Sequence, residues 1–271
     1  MAFVENCGAR IYWDDEGQGA PVLLIMGLGW PSYMWHRTRP VLAASYRTLA
    51  FDNRGVAQSD VPEGPYSIAL MASDAAAVLD AAGETSAHIV GMSMGGMIAQ
   101  EFALLYPERV RSLVLGCTAP GGENAVQPAS GVLEILMSPV RNPEEAARAI
   151  NPFIYDARTS PEHIEEDMVI RRKWFPTLEG YIAQLQAIMT WQSYDRLGQL
   201  DADTLVLHGE TDQLVPPGNA KILAEKIRGS KLAMIPHASH IFATDQPLAS
   251  HRAIQDFLSS VVARNGHSKV E

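Results

Sequence analysis

Six short apolar runs punctuate the chain: Val22 to Met26, Thr48 to Phe51, His88 to Val90, Leu113 to Leu115, Leu205 to Leu207 and Leu232 to Ile235. They lack the apolar-polar alternation of a strand with one wet face, so each reads as a strand buried on both faces. Between most of them lie helical patterns closed by a breaker. Ile68 to Ala82 stops at Gly83, Met94 to Tyr106 at Pro107 and Asn219 to Ile227 before Gly229, while Leu248 to Val262 follows the last strand. This alternation predicts an α/β protein with a doubly wound, mostly parallel sheet covered on both faces.

The rhythm breaks between about Ala119 and Leu200. No strand is evident there, and helical stretches are punctuated by Pro128, Pro139, Pro143, Pro152, Pro161 and Pro176. In the last stretch Leu178, Tyr181, Ile182, Leu185, Ile188 and Met189 recur with helical spacing and predict an apolar face. A helical insertion between two strands lies over their carboxyl ends, where open α/β sheets bind ligands. The expected organisation is a core of residues 1–118 and 200–271 and a helical cap of residues 119–199. The tail Arg264 to Glu271 is expected to fray.

Composition removes several classes. A chain of 271 residues, 47% of them hydrophobic, suffices for one large α/β domain. A formal charge of -10 without a basic cluster argues against a nucleic-acid partner. The first residues lack the basic and apolar regions of a secretory leader, and no apolar stretch is long enough to span a bilayer. Cys7 and Cys117 are far apart and without metal-ligand spacing, which reads as two reduced thiols in a cytoplasmic protein with neither metal nor cofactor. Nothing in the sequence sets an oligomeric state.

Against this background the chemistry-bearing residues stand out. Gly91-Met92-Ser93-Met94-Gly95-Gly96 follows one apolar run and opens a helical pattern, a G-x-S-x-G in strand-turn-helix context. Such a turn exposes the serine hydroxyl and aims the next backbone N–H, that of Met94, at a developing oxyanion. A serine needs a base, and the base an orienting acid. His240 lies in the loop before the final helix, with His237 its nearest rival. Asp212 lies in the polar turn after the fifth run, with Glu210 the alternative carboxylate. His88, within a run, reads as a core imidazole. His208, at a run's end, reads as shaping the following turn. Asp52 and Arg54 read as pinning loops, and Cys117 as a buried thiol.

The order Ser93, Asp212, His240 resembles that of α/β-hydrolase fold proteins. Met26-Gly27-Leu28-Gly29 is similar to that family's H-G-x-G oxyanion loop, and Asp52 to Asp60 to its D-x-R-G-x-G-x-S-D segment. The stretches around Asp212 and from His240 through Asp245 to Pro247 match the acid and histidine segments, so the resemblance spans nearly the whole chain. It implies Ser93 as nucleophile, His240 as base, Asp212 as its orienter, and the N–H groups of Leu28 and Met94 as oxyanion hole. Met26 stands where the family carries histidine, removing a polar side chain from that loop, and His237 stands where glycine is common. A serine at the elbow excludes the aspartate chemistry of haloalkane dehalogenases and epoxide hydrolases.

Gly27, Trp30 and Met92 are expected to contact substrate. Met34, Trp35 and Met94 are further candidates for an apolar pocket wall. With no arginine or lysine beside Ser93 in sequence, the substrate is expected to be a small, largely apolar carboxylic ester. Lactone hydrolysis, carbon–carbon bond hydrolysis, perhydrolysis and a receptor role on a hydrolase scaffold remain open, because the same triad serves several ends.

Overall fold

The computed structural model describes residues 2–137 and 142–267, so Pro139 and the end of the tail lie outside the described residues. Eight strands form one sheet: β1 (Ala2–Asn6), β2 (Ala9–Glu16), β3 (Pro21–Ile25), β4 (Arg47–Phe51), β5 (Ala87–Met92), β6 (Val110–Gly116), β7 (Thr204–Gly209) and β8 (Lys231–Ile235). Their order is β1-β2-β4-β3-β5-β6-β7-β8. The six expected runs are β3 to β8, and all pair in parallel.

The antiparallel pair β1 and β2 at one edge was not anticipated. Burial alternates residue by residue along β1, and β2 ends in Asp14, Asp15 and Glu16. A strand with one solvated face, such as β1, leaves no continuous apolar run, and in β2 the buried run is cut to Ile11, Tyr12 and Trp13 between Arg10 and the acidic end.

The helices are α1 (Arg39–Ala43), α2 (Ile68–Ala81), α3 (Met94–Leu105), α4 (Ser130–Met137), α5 (Pro143–Ile154), α6 (Pro161–Lys173), α7 (Leu178–Thr190), α8 (Gly218–Lys226), α9 (Phe242–Asp245) and α10 (Pro247–His267). Side chains alternate across the sheet and form two cores. Leu23, Ile25, Leu49, Ile89 and Leu113 pack with α2, α3 and α8. Val22, Leu24, Ala50, Val90 and Val114 pack with α10 and the turn carrying Met34 and Trp35. Double burial of successive residues is why the strands read as continuous apolar runs. α10 continues through His267, beyond the start of the stretch expected to fray. Among the described residues, no helix is long and apolar enough to cross a membrane.

The insertion after β6 contains α4 to α7 and, among the described residues, no strand beyond the isolated bridge Gly121 to Gln192. α7 carries two stripes with helical spacing, one of small residues and one of large apolar residues. Its buried stripe is Gly180, Ala183, Gln184 and Ala187. Leu178, Tyr181, Leu185, Ile188 and Met189 line a cavity, Leu178 and Met189 at its exposed margin, while Ile182 is exposed outside it. Small residues win the inner face because the backbones nearly touch: a Cβ on Gly180 would lie 2.2 Å from the Gly55 carbonyl oxygen. The large apolar side chains face ligand space instead of core.

Candidate active site

Ser93 separates β5 from α3 with φ 58° and ψ -122°, a left-handed backbone costly for a residue with a Cβ. The crossing is so tight that a Cβ on Gly91 would lie 2.2 Å from the Gly95 carbonyl oxygen, and one on Gly95 2.1 Å from that of Ile25. Both glycines are therefore steric requirements. Three donors hold the Ser93 carbonyl: the N–H groups of Gly96 (2.8 Å) and Met97 (3.2 Å) and the Thr118 hydroxyl (2.7 Å). The Ser93 side chain stays half-buried at the cavity wall.

Asp212, in the loop after β7, is buried and has three hydrogen bonds and a close approach from His208. Its Oδ1 accepts from the N–H groups of Leu214 and Val215, both at 2.9 Å. Its Oδ2 lies 2.8 Å from His240 Nδ1 and 3.2 Å from His208 Nε2. Burial pushes the carboxyl up, but the facing imidazoles of His240 and His208 outweigh it and hold Asp212 at about 2. The carboxylate is therefore ionised at any ordinary working pH. The stability it contributes is present above the ordinary carboxylate value of about 4 and is lost as pH falls through about 2.

The rivals point elsewhere. His237 and Glu210 are both exposed. His237 has φ 58°, which accounts for the preference for glycine at that position. His88 packs as a core imidazole on the Ser112 hydroxyl at 2.7 Å, and burial lowers it to about 4. Arg54 is buried in a bidentate pair with Asp74, both contacts 2.6 Å, and pins loops as expected. Asp52 holds the N–H groups of Ser32 and Gln58. Among the described residues, Cys117, Asp212 and His240 are the one group of metal-capable side chains, their ligand atoms within 4.8 Å of one another. Burial drives the Cys117 thiol well upward, against the thiolate a metal would require.

The loop after β3 passes over the serine: a Cβ on Gly27 would sit 3.0 Å from Ser93 Cβ. Gly29 donates its N–H to Gln184 Oε1 at 2.8 Å, and Trp30 donates its own to the Gly27 carbonyl at 3.4 Å. Leu28 directly precedes those two committed donors, and Met94, as the first residue of α3, has an N–H without an intrahelical partner. Two polar contacts replace the side chain that Met26 removes. Asn53 Nδ2 donates to the Met26 carbonyl at 2.8 Å, and Gln184 ties Gly29 to α7 while donating to the Arg54 carbonyl at 2.7 Å.

A cavity of about 850 Å³ opens over Ser93 and His240. Gly27, Trp30, Met92 and Met94 line it as the sequence suggests, and so does Met26. Met34 and Trp35 instead belong to the core. The wall also carries Arg171 from α6, a cation in the cavity that the absence of arginine or lysine next to Ser93 in sequence does not disclose. Its guanidinium stacks over Trp30 at 4.7 Å, donates to Asn151 Oδ1 at 3.0 Å and forms no ion pair among the described residues.

The model for the alpha/beta hydrolase fold matches residues 20–152. A relative from Azorhizobium caulinodans, named for carbamate hydrolysis, is 30% identical over 96% of this chain and 99% of its own. The chain belongs to the α/β-hydrolase fold family. A 2-hydroxy-6-oxo-6-phenylhexa-2,4-dienoate hydrolase of Burkholderia cepacia is 30% identical over 93% of this chain and 92% of its own. Among solved structures, a thermophilic esterase from Thermogutta terrifontis superposes with a TM-score of 0.81 at 28% identity, covering 96% of this chain and 98% of that one. This α/β-hydrolase is therefore a hydrolase, with relatives named for a carbamate, a dienoate and an ester.

In this α/β-hydrolase the histidine loop is fastened to the insertion. Asp245 Oδ2 accepts the N–H groups of Ser239 (2.6 Å) and Asp156 (3.2 Å), and Oδ1 accepts the Thr159 hydroxyl (2.5 Å). Burial, with Asp156 nearby, pushes Asp245 up to about 6 despite those donors. A raised carboxyl favours the protonated folded state, so its contribution is full below about pH 4 and fades as pH rises through 6. Relative to Asp245→Asn, the wild type should lose up to about 3 kcal/mol between pH 4 and pH 7. Urea unfolding of both proteins across that range measures it, and a constant difference would contradict the assignment.

Proposed function

We propose that this protein is a serine hydrolase that cleaves carboxylic esters through an acyl-enzyme. The observation that carries the reading is the 2.8 Å pair of His240 Nδ1 with a buried, ionised Asp212, beside the same cavity as the strained Ser93. Ser93 Oγ attacks the carbonyl carbon while His240 Nε2 takes its proton. Asp212 holds the Nδ1–H and stabilises the imidazolium. The N–H groups of Leu28 and Met94 receive the oxyanion, each worth about 3 kcal/mol in the transition state. His240 then protonates the leaving alcohol, and water activated by His240 releases the acid. The apolar wall of Met26, Trp30 and Met92 suits a largely apolar acyl group.

Arg171 favours a second reading, in which the substrate carries a carboxylate, as ring-opened keto acids and acidic lactones do. Burial lowers the guanidinium from its usual value, so the charge is held at a cost that a bidentate carboxylate would offset. Paired substrates separate the two readings: neutral acyl esters and their ω-carboxylate counterparts, assayed with wild type and Arg171→Gln. The ester reading expects kcat/KM to be highest on neutral esters and to change little in the variant. If the acidic substrates lead, and lose roughly tenfold to a hundredfold in the variant while neutral ones do not, the carboxylate reading replaces it.

A further inference from the structure

His208 is completely buried at the end of β7 and lies outside the serine, histidine and aspartate set. Its Nε2 is 2.8 Å from the Val215 carbonyl oxygen and 3.2 Å from Asp212 Oδ2. Both neighbours are acceptors, so only a proton on Nε2 avoids opposing lone pairs. Its Nδ1 is buried with no hydrogen-bond partner, so a second proton there would leave a buried donor unpaired. Those two facts select one state: neutral, with the hydrogen on Nε2.

We infer that His208 is a positioning residue that shares Asp212 Oδ2 with His240 and fixes the carboxylate in the plane from which it holds the catalytic imidazole. The inference rests on the reading of His240 as base. Its geometry is specific. The two backbone N–H groups that hold Oδ1, those of Leu214 and Val215, belong to the same loop as Asp212 and move with it. His208 approaches Oδ2 from β7 and so references the loop and its carboxylate to the sheet. Because the same N–H also holds the Val215 carbonyl, it clamps the loop segment whose N–H groups bind Oδ1. One hydrogen therefore ties the sheet, the loop and the acid together. Cys117, after β6, also faces this cluster, its Sγ within 4.8 Å of the ligand atoms of Asp212 and His240, and burial holds it protonated.

The test has an arm that needs no substrate. Long-range ¹H–¹⁵N spectra of the wild type should show His208 as the neutral Nε2–H tautomer, alongside a low-field proton from the His240 Nδ1–H bond to Asp212. In His208→Leu that low-field signal should shift and broaden, and kcat should fall roughly tenfold to a hundredfold with KM nearly unchanged. His208→Gln, whose amide nitrogen reaches the same point, should recover most of kcat and the sharp signal. The inference is overturned by an Nδ1–H or doubly protonated His208, by wild-type kcat in the leucine variant, or by a glutamine variant no better than leucine. The tautomer measurement stands even if the leucine variant fails to fold. Wild-type protein inert toward every ester would defeat the proposed function instead, leaving the spectra to decide the role of His208.

Discussion

Ser93→Ala should lose roughly five to six orders of magnitude in turnover while remaining folded. The loss is that large because the hydroxyl is the atom that bonds to substrate, and no neighbouring group can replace it. Cys117, the thiol beside Asp212 and His240, is fully buried and held protonated, and the nearby Thr118 hydroxyl is committed to the Ser93 carbonyl. Stability should change by less than about 1 kcal/mol, because the turn is held through the Ser93 backbone carbonyl and not through the side chain. Intact-mass and peptide analysis after treatment with a fluorophosphonate should find one adduct, on Ser93. Labelling at another residue, or turnover in the alanine variant within tenfold of wild type, would remove the nucleophile from this site.

The second large effect belongs to the acid and base. His240→Ala should cost about six orders of magnitude and Asp212→Asn about four. The asparagine variant is informative because it is nearly isosteric. Its oxygen can still accept from Leu214 and Val215, but its NH₂ then faces His240 Nδ1. The imidazole must turn that nitrogen into an acceptor, which moves the hydrogen to Nε2 and removes the lone pair that takes the serine proton. The same NH₂ would also oppose the His208 N–H. His237→Ala and Glu210→Gln should stay within a few-fold of wild type, since both side chains are exposed. Kinetics of the four variants on one activated ester give the ranking. A severe loss in His237→Ala with a mild one in His240→Ala, or the same reversal between Glu210 and Asp212, would transfer the role.

Much of the architecture is legible in the amino-acid sequence. Strands buried on both faces must be apolar at successive positions, so β3 to β8 announced themselves, and with them the parallel sheet. The elbow was legible for a steric reason: Gly91 and Gly95 are the residues that permit β5 and α3 to cross where they do. Asp212 and His240 were legible through position, each in a loop after a strand end, although their contact joins residues 28 apart. Turn and strand signals are local, and local signals survive in sequence.

What the tertiary structure alone decided lies at long separation. Gln184 reaches Gly29 across 155 positions, and nothing in the sequence near either residue records that the insertion would replace the polar side chain missing at Met26. Arg171 reads as one of several charges on a helix, and only its burial over Trp30 places a cation in the cavity. α7 shows why periodicity could not resolve this. Its large apolar residues and its small ones both recur with helical spacing, and the choice of inner face fell to the close approach of Gly180 to Gly55. His208 read as shaping a turn, which it does through Val215, yet its second contact depended on where the Asp212 carboxylate came to rest. A backbone preference is a property of neighbours in the chain. The partners of a buried polar atom are set by packing, and here packing furnished the acid, the loop and the cavity with contacts that local pattern does not encode.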